Sequence, residues 1–205
     1  IAKADYDLTP YRYLDWTGDT IIELKQEGRN LVRLKQVLQA KAGFRSLPAS
    51  RSEALNDIPL PPLFIRIKDL AHDAARPLLD LPEREGNRVF GPITLVEGAA
   101  VLVSRQFKRP YPTIVTPDSP TIAIPPSIVA LRPDLSKVLP EYLVHEMQQP
   151  YYQQQIESIS RGASITQFKV SDLMDTWVEL RPIEEQRRLV DRERDMFRVL
   201  DMLSP

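Results

Sequence analysis

The spacing of apolar positions changes several times along the chain. Ile21, Ile22 and Leu24 mark one side of a short helix over 19–26, and Gly28 opens a turn. Leu31-Val32-Arg33-Leu34 predicts a strand, and 35–41 a short helix ending near Gly43. Residues 44–62 show no period, close in I-P-L-P-P, and predict a loop. At 63–68 the run L-F-I-R-I-K alternates apolar and basic in its second half, which predicts a strand with one wet face. Residues 71–91 are polar and irregular. Short strands are predicted at 93–95, 99–103, 113–115, 122–124 and 127–131, with turns at Glu97-Gly98 and Arg132-Pro-Asp. The segment 99–103 is continuously apolar, as in a strand buried on both faces.

The run 139–190 carries more punctuation. Pro140 sits where a first-turn proline costs nothing, since that N–H has no helical partner. Pro150 ends one helix and can open the next, so helices are predicted at 140–149 and 151–160. Arg161-Gly162 ends the second, Gly suiting a left-handed cap. A polar loop and a capped turn follow, and Trp177-Val-Glu-Leu180 alternates like a half-buried strand. Pro182 then opens a helix over 183–203 with two carboxylates in its first turn, as the helix dipole prefers. Its apolar Leu189, Val190, Met196, Phe197, Leu200 and Leu203 include a heptad spacing at 189, 196 and 203. Such a stripe docks on its own domain or on a partner helix. The fold class expected is α+β: an irregular, mostly antiparallel β core with packed helices and a long C-terminal helix.

Size and composition narrow this picture. A chain of 205 residues is one large domain, or one domain with appendages, and can bury a sizeable core. Nineteen prolines against seven glycines suggest fixed corners rather than loose linkers. The net charge of −1 predicts no partner, so a nucleic-acid surface has to come from a local patch. With no cysteine there is no disulfide, thiol nucleophile or thiolate metal site, which fits a cytoplasmic location. No run of about 18 apolar residues is present, so no membrane partner is expected. The chain lacks a first methionine and is expected to be part of a longer polypeptide.

Enzyme constellations are missing. There is no Gly-rich phosphate loop and no dinucleotide fingerprint. His72 and His145 have no ligand-spaced partners, so no metal site is expected. Asp19 with Glu23-Leu24-Lys25 looks like an acidic nuclease motif, but both acids share one helix turn, whereas a metal pair needs carboxylates converging from different elements. The tetrapeptide Asn-Pro-Pro-Tyr that holds a flipped adenine in amino-methyltransferases is absent, so this segment is expected not to methylate. The positive signal is for DNA. Arg105, Lys108 and Arg109 lie with Phe107 and Tyr111 at a strand end, with no acid among them. Cations contact phosphates and read guanine; aromatic rings stack or wedge. Arg66 and Lys68 add a wet strand face. Arg161, Ser164, Thr166, Gln167 and Lys169 form a polar loop with donors of several reaches, suited to base edges and phosphates.

The ordered segments L-P-E-Y-L, Q-Q-P-Y-Y-Q-Q-Q-I, S-R-G-A-S-I-T-Q-F, V-S-D-L and L-R-P-I-E-E-Q-R-R-L-V resemble the target-recognition domain of type I restriction enzyme specificity subunits. Upstream, L-V-R-L-K at 31–35 resembles that family's domain-opening strand, and F-I-R-I-K-D-L at 64–70 its first inner strand. The resemblance covers about residues 31–203; the order of the segments carries it rather than any one of them. D-Y-D-L-T-P-Y-R-Y-L at 5–14 resembles the segment closing the catalytic domain of N6-adenine DNA methyltransferases of restriction–modification systems. The resemblance implies a recognition domain at 31–181, a spacer or dimerisation helix at 182–205, and an arm at 1–30 that ends a methyltransferase domain or links to one. It implies double-stranded DNA as ligand and a methyltransferase domain or subunit as partner. It also implies a homodimer through Leu189, Met196, Leu200 and Leu203, or one domain serving one fused enzyme. No cofactor is expected in this segment; S-adenosylmethionine belongs to the catalytic partner or domain. Specificity subunits carry two recognition domains and two spacer helices, and this chain has one of each. The alternative, from a different class, is a protein-interaction module that docks a catalytic subunit through the C-terminal helix.

Overall fold

The computed structural model describes residues 16–39, 44–71, 77–83, 88–105, 112–160 and 167–203. Within the helices, the side chains of residues 16–18, 200, 201 and 203 are outside that description. Helix α1 (Trp16–Gln26) leads to strand β1 (Leu31–Arg33) and a single 3-10 turn, Leu34–Gln36. Strand β2 (Arg45–Leu47), helix α2 (Ala49–Glu53) and a 3-10 turn at Ala54–Asp57 follow. The β core comprises β3 (Leu63–Phe64), β4 (Ile93–Val96), β5 (Ala100–Ser104), β6 (Thr113–Val115), β7 (Ile122–Ile124) and β8 (Ile128–Leu131). Helices α3 (Pro140–Gln148), α4 (Pro150–Ile159) and α5 (Val170–Met174), strand β9 (Trp177–Glu179) and helix α6 (Ile183–Leu203) complete the chain.

These strands form three sheets, in the orders β2-β4-β7-β3, β6-β5-β8 and β1-β9. Every pairing is antiparallel except β3 with β7. Side chains alternate across a strand, and β5 shows the consequence. Ala100 and Leu102 face one apolar cluster with Val96, Val115, Ile122, Ile124 and Ile128, between the two larger sheets. Val101 and Val103 face a second cluster with Leu143, Met147, Tyr152 and Ile156 of α3 and α4. The middle sheet is therefore buried on both faces, which is why 99–103 reads as unbroken hydrophobicity. The layers run outer sheet, middle sheet, helix pair. The α+β architecture expected from the sequence is the one observed.

Three expectations need correction. The helix expected at 35–41 is one 3-10 turn, after which Leu38 bridges Pro133. The loop expected at 44–62 contains β2, α2 and the second 3-10 turn. The residues of β2 are exposed, exposed and buried in order, so its wet edge gives no apolar pattern. The strand expected at 63–68 stops after Phe64, because the Arg66 N–H donates to Asp69 Oδ2 at 2.8 Å and the chain coils into the 3-10 turn Ile67–Asp69. Arg66 and Lys68 therefore sit on an exposed turn rather than on a strand face.

A buried polar network ties the helices to the small sheet. The Tyr151 hydroxyl donates to Glu146 Oε2, and the Glu179 N–H donates to that oxygen at 3.1 Å and to the Tyr151 hydroxyl oxygen at 2.9 Å. Tyr142 Oη donates to the Glu179 carbonyl at 3.2 Å. The Glu179 carboxylate in turn holds Arg29 Nε at 2.7 Å and Arg181 Nε at 3.1 Å. Burial, and then the charge of Glu146, push the Tyr142 and Tyr151 phenols far above their ordinary range, so both act as neutral donors. At the face of Trp177, Lys25 Nζ lies 3.6 Å and the Arg33 guanidinium 3.8 Å from the ring centre, fixing α1 and β1 against β9.

Candidate nucleic-acid interface

Strand directions gather several turns at one end of the sheets. Ser104, at the end of β5, pairs with Ile128 at the start of β8. Leu102 pairs with Thr113 at the start of β6, so β6 begins at the end where β5 stops. Strand β7 enters β8 through Pro125-Pro126-Ser127, and β3, parallel to β7, finishes beside it. The Ala71 N–H donates to Thr113 Oγ1 at 2.8 Å, which brings the end of the 66–71 turn to the start of β6.

Arg105 organises this end. Its N–H donates to the Ser127 carbonyl at 2.8 Å. Its Nε donates to the Phe168 carbonyl and its Nη1 to the Pro126 carbonyl, each at 3.1 Å. A guanidinium offers five donors in a fixed fork, and here one nitrogen ties the β5 end to the segment before α5 and another ties it to the corner between β7 and β8. Phe168 is buried in the helix-side cluster, while Gln167 and Lys169 beside it are exposed. Of the residues selected from sequence, the structure thus brings Arg66, Lys68, Arg105, Gln167 and Lys169 to one end. Lys108, Arg109, Tyr111, Arg161 and Ser164 lie outside the described residues. Arg66 also contacts Asp69 through Nε at 3.3 Å, an exposed pair of small energetic weight. No local pattern marks Arg105 as half-buried and structural as well as cationic, because its carbonyl partners at Pro126 and Phe168 lie 21 and 63 positions away.

The C-terminal helix divides in two. Its first turns dock. Gln186 is fully buried; its Oε1 accepts from the Leu139 N–H at 2.9 Å, and its Nε2 donates to the Lys137 and Arg181 carbonyls at 2.8 and 2.7 Å. Leu189 and Val190 pack partly buried on the helix-side cluster, and Glu193 Oε1 meets His145 Nδ1 at 2.5 Å. Farther on, Met196, Val199 and Met202 are exposed, Met202 at 81%. The side chains of Leu200 and Leu203 lie outside the described residues. Among the described residues no group of acids or histidines could hold a metal ion, and no helix is long and apolar enough to cross a membrane.

Comparison of the sequence with family models and with curated proteins gives no match. Comparison of the fold does. The structure is similar to the HsdS subunit from Thermoanaerobacter tengcongensis, at 18% identity and a TM-score of 0.54, over 96% of this chain and 48% of that one. It is similar also to a chain from a structure of the type I R-M system described in terms of complex assembly and conformational transition, at 15% identity and a TM-score of 0.51, over 95% of this chain and 48% of that one. The chain spans about half the length of these structures. At such identities the likeness establishes a shared fold, and the fold matches the type I specificity-subunit resemblance carried by 139–190.

Proposed function

We propose that this chain is a DNA target-recognition domain of a restriction–modification system, non-catalytic in this segment. Residues 31–181 would form the reader, α6 the spacer and 1–30 the link to a methyltransferase domain or subunit. The observation that carries the reading is the convergence of Arg66, Lys68, Arg105, Gln167 and Lys169 at the sheet end where β5 stops and β6 starts, within a fold shared with specificity subunits over nearly the whole chain. Cations on turns supply phosphate contacts, and short polar side chains supply donors and acceptors for base edges. The domain would present its target to a methyltransferase, with S-adenosylmethionine in the catalytic partner; an N6-adenine methyltransferase as parent is supported by the segment 5–14.

Arg105 is a poor test of this surface, because its loss frees the Phe168 and Pro126 carbonyls as well as a charge. Lys108 and Arg109 are better. The double substitution Lys108→Ala, Arg109→Ala is expected to weaken binding to all duplex sequences alike and to lower the salt slope by about two, since each lost phosphate contact removes about one. Fluorescence anisotropy at several salt concentrations measures this. An unchanged slope and affinity would remove 106–111 from the interface.

A second reading is favoured by the exposed Met196, Val199 and Met202: the distal half of α6 is a protein-docking surface, for a second copy or a methyltransferase subunit. Met196→Glu with Met202→Glu is expected to lower the mass measured by light scattering, alone or with a methyltransferase subunit, while leaving the DNA-binding end unaltered. An unchanged mass in both settings would exclude this surface.

A further inference from the structure

Phe90 is an exposed aromatic on a loop that the fold takes trouble to hold still. It is 61% exposed, yet both flanks are fixed. The buried Val89 donates its N–H to Asn56 Oδ1 at 2.8 Å and accepts from Asn56 Nδ2 at 2.9 Å, so one amide side chain clamps both polar atoms of that peptide segment. On the other side the Gly91 carbonyl accepts from the buried Ser52 hydroxyl. Gly91 itself has φ +65°, a conformation glycine adopts without strain, and it turns the chain into β4 directly after the ring. Phe64 meets Phe90 edge to face, with ring centres 6.5 Å apart at 81°, so the ring is braced as well as its backbone. An exposed ring on a mobile loop needs no explanation; an exposed ring on a doubly clamped loop is preorganised for contact.

Its position suggests the partner. Strand β4 starts beside the end of β7, because Thr94 pairs with Ile124, and Phe64 closes β3 at the same end. Phe90 therefore stands at the end of the sheets where the cationic turns collect, two residues after exposed Arg88 and beside the strand that runs into Arg66. The clamping elements carry exposed Arg51 as well as the exposed carboxylates Glu53 and Asp57, and Arg88 is the exposed cation next to the ring in sequence.

We propose that Phe90 is a base-contacting residue of the DNA-reading surface, with Arg88 holding the adjacent phosphate. This rests on the function proposed above. An apolar ring gives no phosphate contact; it gains by packing on a base or on the thymine methyl, the apolar group offered in the major groove. It therefore supplies selectivity rather than salt-sensitive affinity. The test begins by enriching a preferred sequence from a random duplex pool with the unaltered chain. Binding of that duplex and of a random duplex is then compared for Phe90→Ala and Arg88→Ala. Phe90→Ala is expected to lower the ratio of selected to random affinity by about tenfold, with the salt slope and the melting curve unchanged. Arg88→Ala is expected to lower both affinities together and to lower the slope by about one. The assignment of Phe90 is overturned if its alanine variant keeps the ratio, or if it loses both affinities equally. Failure of the unaltered chain to retain any duplex overturns the DNA reading itself, an outcome distinct from either.

Discussion

Glu146→Ala is expected to destabilise the chain by about 2–5 kcal/mol, the range typical of a buried donor left unpaired together with a cavity in a packed core. Glu146 is 2% exposed in the last turn of α3. Its Oε2 accepts from the Tyr151 hydroxyl and the Glu179 N–H, and so joins α3, α4 and β9 at one atom. Removing it leaves the Tyr151 hydroxyl proton buried without its acceptor, and each such orphan costs about 1–3 kcal/mol. The Glu179 N–H keeps Tyr151 Oη as an acceptor, which limits the damage on that side. The cavity left by the side chain adds to the loss. Glu146→Gln keeps an acceptor of nearly the same shape and is expected to cost about 1–2 kcal/mol, typical of a hydrogen bond that loses its charge. Urea melts of the three proteins measure the order. A loss within about 0.5 kcal/mol for the alanine variant, the size of an ordinary surface change, would show that the network does not hold the helices together.

The consequence reaches the function because the same network spans the joints of the proposed assembly. Glu179 anchors Arg29 at the exit from α1 and Arg181 just before α6. The neighbouring Gln186 fixes the first turn of α6 to the start of α3. The direction in which α6 leaves the domain is held by these buried polar contacts together with Leu189 and Val190 on the helix-side cluster, and farther along Met196 is exposed. A spacer has to leave its reader at a fixed angle if it is to set a distance on DNA.

Little of this network is legible in the sequence. Glu146 and Gln186 look like ordinary polar residues on amphipathic helices, and the contacts that tie them to other elements, to the Glu179 N–H and to the Leu139 N–H, reach more than 30 positions along the chain. What is legible follows from local chemistry. Pro140, Pro150 and Pro182 mark helix starts that the structure reproduces within a residue. The unbroken apolar run at 99–103 marks the central strand. Errors fall where local order comes from single hydrogen bonds. Asp69 turns an alternating run into a 3-10 turn. Helix α2 has only five residues and is too short to show a period. The DNA-facing candidates were chosen as cations near strand ends. Strand order brings Arg66, Arg105 and Lys169 to one end, which sequence spacing could not show. Phe90 escaped notice because its neighbours are irregular, and its significance rests on Asn56 and Ser52, more than 30 residues before it.

The largest effect expected of the whole account concerns salt. If the converging turns are a DNA surface, each neutralised phosphate releases a counterion, and log affinity falls linearly with log salt at a slope of about −0.9 per contact. The chain's net charge of −1 gives no general attraction to a polyanion, so a steep slope can come only from a local cationic surface. The measurement that addresses this most directly is the equilibrium affinity of the unaltered chain for random-sequence duplex DNA between about 50 and 200 mM salt. With about six phosphate contacts, the affinity is predicted to drop about 10³-fold across that range. Affinity that is absent at low salt, or that does not change with salt, would contradict the assignment of this end of the sheets to DNA.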